Sequence, residues 1–321
     1  MFYDNDYSRK RMDWHHYEAN PILGLGKRGK WDEAYATWAC VVRVAEDDWR
    51  MYYSGKDRGG WLRDARLRIG LAFSNDGVHW TKHERNPILD SGRRTDWDSA
   101  GVYCPVVWQG EDIWRMIFTG CNTQGHYQVG YATSTDGLLW KKSKDNPTFC
   151  DVGLGKNGSG LPETEAWGLL KSGSKYLVLY NTVTIKPRQI YVAESTDLVR
   201  WTPLSNHPLI PSEGSPSELG YMKYCAWPHQ AHGRVLVFAA SSNENYTTSA
   251  IGVWEIKDFT EDSEREFVGY LANSGSEWSA SELDTPFTVG GFTPSERETR
   301  IYYGGRGVSN KWCEGLAFTE L

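Results

Sequence analysis

Apolar residues fall into short strand-like runs separated by polar turns, and one such pair of runs recurs along the chain. Residues 40–55 (CVVRVAEDDWRMYYSG) match residues 105–120 (PVVWQGEDIWRMIFTG) almost position by position. Weaker copies end at Asn181, Ala240 and Gly305. Two apolar runs around a polar turn predict a β-hairpin, so the pattern predicts the same hairpin five times.

A second repeated element follows each of the first three hairpins. Residues 69–80 (IGLAFSNDGVHW) recur as 129–140 (VGYATSTDGLLW) and, more distantly, as 190–201 (IYVAESTDLVRW). Asp-Gly between apolar stretches is a hairpin-turn signal, and an Asn-Pro or Asn-His-Pro follows each copy. Four strands in a unit of about 60 residues is the pattern of a propeller blade.

The two ends of the sequence predict how the units close. The fifth unit stops after its third strand, near Phe318, whereas residues 14–23 (WHHYEANPIL) mirror residues 80–89 (WTKHERNPIL). An N-terminal strand would therefore complete the last unit and cover its edge. The sequence predicts one all-β domain over residues 1–321, a five-bladed β-propeller with four antiparallel strands per blade, its ring closed by the N-terminal strand.

The composition of the chain argues against two classes of binding partner, nucleic acids and membranes. The chain has 35 Lys and Arg against 41 Asp and Glu, a net charge of -6, which disfavours binding to a nucleic-acid backbone. No run approaches the ~18 apolar residues of a membrane-spanning helix, and the first residues lack the apolar core of a secretory signal. We therefore expect no membrane partner and a cytoplasmic location, and leave the oligomeric state open.

The cysteine pattern bears on metals and cofactors. The six cysteines form no CxxC pair, so we expect reduced thiols rather than a zinc site or a disulfide framework. No ligand cluster demands a metal, although a structural metal ion in the central channel stays open. We expect no cofactor.

Loop lengths predict which face carries chemistry. In a blade of antiparallel strands, turns 1–2 and 3–4 lie on one face, and loops 2–3 and 4–1 lie on the other. The second set is longer, with loops at residues 56–66, 121–126 and 181–188. Long loops on a rigid scaffold usually carry function, so the site is expected where each first strand begins.

Acidic and aromatic residues gather at that predicted mouth. Carboxylates bind sugar hydroxyls, aromatic rings cover the apolar side of a sugar, and glycosidic cleavage needs a carboxyl group whose pKa is raised. These residues predict a carbohydrate substrate. The predicted catalytic residues are Glu165, Asp32, Asp98 and Glu163, and the predicted substrate-binding residues are Trp38, Tyr103, Trp167, Tyr221, Glu282, Asp284 and Arg306.

Glu165 is the most distinctive of these acids, because units 1 and 2 place Trp38 and Tyr103 at that point. Glu163 lies two residues earlier on the same strand face, and two like charges would raise one pKa. Asp32 and Asp98 each follow a tryptophan at equivalent places in two units. Such repetition leaves a structural role in a turn as the alternative to catalysis.

Basic residues near the same face have two interpretations. Lys56 and Arg306 lie in or near loop 2–3 of their units. They would either bind an anionic substrate or simply be solvated.

The Tyr-Ser-Gly, Ile-Gly-x-Ala-x-Ser-x-Asp-Gly-x-x-Trp and Asn-Pro-Ile-Leu elements resemble those of the five-bladed β-propeller glycoside hydrolases. That group includes families 43, 32, 68, 117 and 130, and the resemblance covers nearly the whole chain. It implies a glutamate acid in blade 3, and Glu165-Ala166-Trp167 matches that place. It also implies Asp-Pro pairs, but Cys104-Pro105 replaces one, Ala39-Cys40 replaces the other, and the Asp-Pro-Arg of family 130 is absent.

Residues and resemblance together predict a glycoside hydrolase-like enzyme acting on a small oligosaccharide or glycoside. Glu165 would be the general acid, Asp32 the base or nucleophile, and Asp98 would orient the sugar. One alternative is a carbohydrate-binding propeller without catalysis, suggested by the missing Asp-Pro pairs. Another is a transglycosidase or phosphorylase on the same scaffold. The sugar, its linkage and the stereochemical outcome stay open.

Overall fold

The computed structural model of the chain describes eleven stretches of sequence. They are residues 14–58, 66–150, 163–183, 187–210, 222–231, 233–242, 249–260, 264–272, 282–289, 298–307 and 311–320. Within them all regular secondary structure is β-strand, which confirms the all-β prediction. The same stretches hold no apolar helix of the length that crossing a bilayer requires.

The strands follow the predicted units. Strand β1 spans His15–His16 and precedes the first unit. The first unit contains β2 (Tyr35–Ala45), β3 (Asp48–Lys56), β4 (Arg68–Ser74) and β5 (Thr81–Lys82), and the second contains β6 (Gly101–Gln109), β7 (Trp114–Cys121), β8 (Tyr127–Ser134) and β9 (Lys141–Lys142).

The remaining units repeat this order. The third unit contains β10 (Thr164–Ser172), β11 (Lys175–Thr182), β12 (Tyr191–Ser195) and β13 (Thr202–Pro203), the fourth contains β14 (Met222–Ala231), β15 (Arg234–Ser242), β16 (Ser249–Ile256) and β17 (Arg265–Ala272), and the fifth contains β18 (Glu282–Val289), β19 (Glu298–Arg306) and β20 (Trp312–Glu320).

Units 2, 3 and 4 are separate four-stranded antiparallel sheets, each in chain order. Strand β1 pairs with β20, with His15 opposite Phe318, so the predicted pairing of the N-terminal strand with the last unit is confirmed. A short parallel pairing of β20 with β2 joins unit 5 to unit 1 in one larger sheet. The first strands contact one another in the order β2, β6, β10, β14 and β18, and β18 also contacts β2.

In units 1 and 2, glycines on the second and third strands make room for a tryptophan that packs against them. A Cβ on Gly55 would lie 2.2 Å from the Trp31 ring, and one on Gly70 would lie 2.7 Å from it. In unit 2 a Cβ on Gly120 would lie 2.3 Å from Trp97. The close approach of indole to backbone explains why glycine recurs at this strand position.

The Ser-x-Asp turns are held by their own aspartates. Asp76 Oδ1 accepts the backbone N–H groups of Val78 and His79, both at 2.8 Å, and the Ser74 hydroxyl lies 2.9 Å from the same oxygen. The same bonds recur around Asp136 and Asp197. The carboxylate therefore replaces backbone acceptors inside the turn.

Each of two such turns is also bound by an arginine and a tyrosine of the preceding unit. In unit 1, Arg50 Nη1 donates to the Asp136 carbonyl at 2.7 Å, and Tyr52 Oη donates to the Gly137 carbonyl at 3.0 Å. Arg300 and Tyr302 of unit 5 bind the turn of unit 1 in the same way. These bonds link successive units through their turns.

Candidate active site

Bulges interrupt the first strands at the predicted mouth. The pairing register shifts within all five first strands. Three non-glycine residues at these bulges have left-handed backbone angles: Trp38 at φ 54°, Cys104 at φ 50° and Cys225 at φ 56°. Bulges and left-handed residues cost energy and cluster at functional sites, so they favour a site at this end of the strands.

Strand pairing shows which residues are equivalent between units. Glu165 is opposite Asn181 in unit 3, and Thr37 is opposite Ser54 in unit 1. Asn181 and Ser54 hold the same place in their second strands, so the unit 1 counterpart of Glu165 is Thr37. The sequence alignment of Glu165 with Trp38 was wrong by one residue, because unit 1 has a second register irregularity, between Arg43 and Ala45, that the first hairpins of units 2 and 3 lack.

Glu165 is buried at the start of β10 beside two polar side chains. Its exposed fraction is 2 %, and Tyr103 Oη donates a hydrogen bond to Oε1 at 2.6 Å. Arg188 Nη1 lies 3.8 Å from Oε2, which accepts no hydrogen bond from any described residue. Burial raises the pKa of the Glu165 carboxyl above its ordinary value, and Arg188 and the Tyr103 hydrogen bond oppose part of that rise.

Glu163 lies just before β10 and is also buried. Its carbonyl accepts the Val183 N–H at 3.1 Å, and it forms a parallel bridge to Tyr127. The raised pKa of Glu165 comes first from burial, and the like charge of Glu163 is not among its causes. A catalytic role for Glu163 stays a prediction.

Aromatic side chains from several units meet beside Glu165. The Trp38 ring centre lies 5.8 Å from Tyr103, 5.9 Å from Trp312 and 5.7 Å from Tyr35. Burial, followed by the charge of Glu165, raises the pKa of Tyr103 well above its usual value, so its hydroxyl stays a neutral donor. The larger buried cluster contains Ala34, Tyr35, Trp38, Leu67, Ala100, Tyr103, Cys104, Cys121, Tyr127, Trp167, Val183, Cys225, Ala240 and Trp312.

Trp167 is tied to a residue that the sequence analysis missed. Its Nε1 donates to Asn181 Oδ1 at 2.9 Å, and Asn181 is fully buried at the end of β11. The available signal was an amide where units 1 and 2 have Ser54 and Thr119. An amide offers both a donor and an acceptor, whereas those hydroxyl residues are smaller.

Lys56 and Arg306 hold equivalent places at the ends of β3 and β19. Lys56 is 1 % exposed and its Nζ lies 5.3 Å from the centre of the Tyr35 ring, so it is not simply solvated. The Arg306 guanidinium lies 5.8 Å from the Trp312 ring. Burial raises the pKa of the Cys121 thiol to about 12; Glu165 and Asp98 add to the rise and Lys56 opposes it. Lys56 and Glu165 thus act on one thiol, at the same end of the strands.

Asp32 and Asp98 make the same kind of contact in their two units. Lys82 Nζ lies 2.5 Å from Asp32 Oδ2, and Tyr53 Oη donates to that oxygen at 3.0 Å. Lys142 Nζ lies 2.5 Å from Asp98 Oδ2. Both carboxylates are buried. These contacts favour the structural alternative, in which each aspartate anchors a linker to the outermost strand of its unit.

Three predicted substrate-binding residues cannot be placed as side chains. Tyr221 lies outside the described residues. Glu282 and Asp284 lie on β18, where only the backbone is described, with Glu282 opposite Arg306 and Asp284 opposite Gly304. Their roles stay predictions.

In the part of the chain that the structure describes, no three His, Cys, Asp or Glu side chains are grouped as metal ligands. The expectation that no cofactor is needed stays a prediction.

The geometry agrees with a match to a known family. Residues 49–215, more than half of the chain, match the family model described as beta-1,4-mannooligosaccharide phosphorylase of glycoside hydrolase family 130. The chain belongs to glycoside hydrolase family 130. This family is one of those that the repeated motifs resemble, so that part of the sequence interpretation is confirmed.

Curated relatives of this family 130 protein carry no assigned activity. Two uncharacterized proteins of Mycobacterium tuberculosis are each 32 % identical to it over 125 residues. That match covers 38 % of this chain and 38 % of each relative. The chain is therefore matched to well under half the length of these relatives.

Solved structures share the fold of this family 130 protein. The β-1,2-mannobiose phosphorylase of Listeria innocua has a TM-score of 0.70 at 14 % identity, with 96 % of this chain and 97 % of that chain covered. A structure described by the finding that family 130 contains glycoside hydrolases targeting β-1,2 mannosidic linkages in Candida mannan has a TM-score of 0.70 at 16 % identity, covering 98 % and 95 %. A glycosyl hydrolase from Bacteroides ovatus has a TM-score of 0.68 at 16 % identity, covering 97 % and 94 %.

Proposed function

We propose that this family 130 protein cleaves the glycosidic bond of a β-mannoside and that Glu165 donates the proton. The observation that carries the proposal is the Glu165 carboxyl itself, which is buried, has a raised pKa and keeps one oxygen that accepts no hydrogen bond from the described residues. The mannoside is supported by the family description and by the linkages named for two structural neighbours. Fold alone does not fix a substrate, so this step needs an assay.

The geometry suggests how Glu165 would act. A carboxyl with a raised pKa holds its proton nearer to neutral pH, which a general acid requires. Tyr103 occupies Oε1, so Oε2 is the oxygen left to donate to the leaving group. After transfer the carboxylate would be stabilised by the Tyr103 hydrogen bond and by Arg188 at 3.8 Å.

The proposal gives the other residues supporting parts. The aromatic cluster around Trp38 would cover the apolar face of the sugar, and Asp32 and Asp98 would hold the linkers in place. We further propose that the five units form a closed five-bladed propeller. The pairing of β1 with β20 and the parallel link from β20 to β2 support closure.

Phosphorolysis is a second candidate because one cationic side chain lies beside Glu165 and two others lie at the ends of second strands. Lys56 is buried at the end of β3, Arg188 lies beside Glu165, and Arg306 holds the place of Lys56 in unit 5. Inorganic phosphate carries its own negative charge to the anomeric carbon, and Lys and Arg side chains are its usual partners. In this reading phosphate replaces water as the nucleophile.

One assay tests both candidates. The wild-type chain is incubated with β-1,2- and β-1,4-mannobiose, with and without phosphate, and mannose and mannose 1-phosphate are quantified. Phosphate-dependent mannose 1-phosphate indicates phosphorolysis, and phosphate-independent mannose indicates hydrolysis. Glu165→Gln should lower turnover by about 10³-fold or more, since it removes the proton donor.

The control for that assay is Glu46→Gln, which changes an exposed glutamate on the turn between β2 and β3. It should leave turnover unchanged. Binding of mannobiose without any product over long incubation would support the carbohydrate-binding alternative and contradict the proposed enzyme.

A further inference from the structure

Two buried polar atoms on neighbouring strands of unit 3 have no hydrogen-bond partner among the described residues. Asn181 is fully buried, and its Nδ2 donates to no acceptor among the described residues. Glu165 is its direct partner in the β10–β11 register, and the Oε2 atom of Glu165 likewise accepts no hydrogen bond there. A buried polar group without a hydrogen bond destabilises a fold, so each such group needs an explanation, for example a bound ligand.

The orientation of the Asn181 amide follows from its neighbour. The indole N–H of Trp167 can only donate, so the atom it meets at 2.9 Å must be the amide oxygen. The amide NH₂ of Asn181 therefore points the other way. Residues directly opposite in an antiparallel pair have Cβ atoms about 4.5–5.5 Å apart on one face of the sheet. The Asn181 donor and the Glu165 carboxyl thus serve the same small volume.

The repeat does not account for an asparagine at this place. In units 1 and 2 its counterparts hold the bulge of the next unit: Ser54 Oγ accepts the Cys104 N–H at 3.0 Å, and Thr119 Oγ1 accepts the Ala166 N–H at 3.2 Å. The described bonds of Asn181 include no such link to unit 4. A residue that has left the structural role of its counterparts, yet is fully buried and polar, points to a ligand.

We infer that Asn181 is a specificity-determining residue whose Nδ2 donates to one sugar hydroxyl beside the bond that Glu165 protonates. Trp167 is its positioning residue, because the indole N–H fixes the amide. The inference rests on the proposed function for the role of Glu165. Sites that hydrogen-bond a substrate hydroxyl reject analogues that lack it far more strongly than apolar pockets reject a small change.

The test compares Asn181→Ala with wild type on mannobiose and on a panel of its mono-deoxy analogues. On mannobiose, kcat/KM should fall by about 10- to 100-fold. For one deoxy analogue that loss should disappear, because the hydroxyl that Asn181 binds is already missing. Trp167→Phe keeps the ring and removes the N–H, and it should give a smaller loss that disappears for the same analogue.

Two further variants control for effects of the substitution on folding rather than on substrate binding. Asn181→Ser introduces the unit 1 residue, which this strand position tolerates but which is too short to replace the amide, so it should behave like Asn181→Ala. Ser54→Ala removes the bond to Cys104 and should lower thermal stability without an analogue-specific effect. An equal loss on every analogue with Asn181→Ala, or no loss on any, overturns the inference while leaving the proposed function intact.

Calorimetric titration with mannobiose separates the two proposals. If wild type binds mannobiose but shows no turnover, the proposed function fails; weaker binding by Asn181→Ala that is again lost for one deoxy analogue then supports the inference. If wild type neither binds nor turns over any mannoside of the panel, both proposals are wrong.

Discussion

Replacing Asp32 by asparagine should destabilise the fold and spare the chemistry. The Asp32 side chain is 4 % exposed, and that of its partner Lys82 is 27 % exposed. Breaking a fully buried ion pair by removing one partner costs about 3–5 kcal/mol. Here the partly exposed Lys82 regains water and the Tyr53 hydroxyl keeps an oxygen to donate to, so we expect about 2–3 kcal/mol.

The assay measures unfolding and turnover on the same samples. At about 2–4 °C per kcal/mol for a chain of this size, Asp32→Asn should lower Tm by about 5–10 °C. At 25 °C, kcat on mannobiose should stay within about twofold of wild type, because the carboxylate is committed to Lys82 rather than to the substrate.

Unit 2 supplies a matched control. Asp98 makes the same ion pair with Lys142, at similar burial, so Asp98→Asn should match Asp32→Asn in both measurements. The double variant Asp32→Asn with Lys82→Met should recover part of the lost stability, since it removes the charge left behind. An unchanged Tm together with a loss of turnover of about 10³-fold would refute this reasoning and restore Asp32 as a catalytic residue.

Three further outcomes are expected. Burial raises the pKa of Glu165, so the ionised carboxylate destabilises the fold. Glu165→Gln should therefore raise the urea midpoint at pH 8, and this gain should vanish below about pH 4, where the carboxyl is protonated in both states. A lower midpoint at pH 8 would show that the ionised carboxylate stabilises the fold. Gly137→Ala puts a Cβ 2.7 Å from Tyr52 Oη at φ 75°, so it should lower the free energy of unfolding in urea by about 2–4 kcal/mol. Gly125→Ala has a similar φ of 85° but open space around the Cβ, and it should lower that free energy by about 1 kcal/mol. Equal losses for the two variants would rule out an effect of the Tyr52 contact. Hydrogen bonds from turn N–H groups lower the pKa of Asp136, so its carboxylate stabilises the fold above about pH 4 and this stabilisation is lost as pH falls. The Tm of Asp136→Asn should therefore differ from that of wild type at pH 7, and the two values should converge at low pH.

The sequence predicts the strands and turns well because they depend on local pattern. Alternating apolar runs, the Ser-x-Asp turn and the Trp–Gly contact are repeated, and each copy supports the others. The pairing of residues 14–23 with the last unit is also local in origin, since it rests on a copied motif. Glu165 was singled out because its charge breaks the repeat, and its catalytic role stays a prediction.

The remaining errors come from strand register and long-range contacts, which an alignment of the sequence repeats does not show. The irregularity between Arg43 and Ala45 adds one residue to the first hairpin of unit 1 without a mark in the sequence, so Trp38 was aligned where Thr37 belongs. Which carboxylates find a lysine depends on strands far apart, and Lys82 lies 50 residues from Asp32. Asn181 looked like an ordinary strand end, and the two interpretations of Lys56 could not be separated, until their burial was known.

The bond from Tyr52 to the turn of unit 2 has a consequence for how such chains evolve by recombination. Gly137 leaves room for the Tyr52 hydroxyl, whereas unit 3 has Leu198 at the same turn position, buried and at φ 65°. Unit 2 presents Ile117 where unit 1 has Tyr52, so a side chain is tolerated there. The residue at this turn position therefore matches the side chain that the neighbouring unit presents to it. A recombination event that placed unit 3 directly after unit 1 would bring the Leu198 side chain against Tyr52.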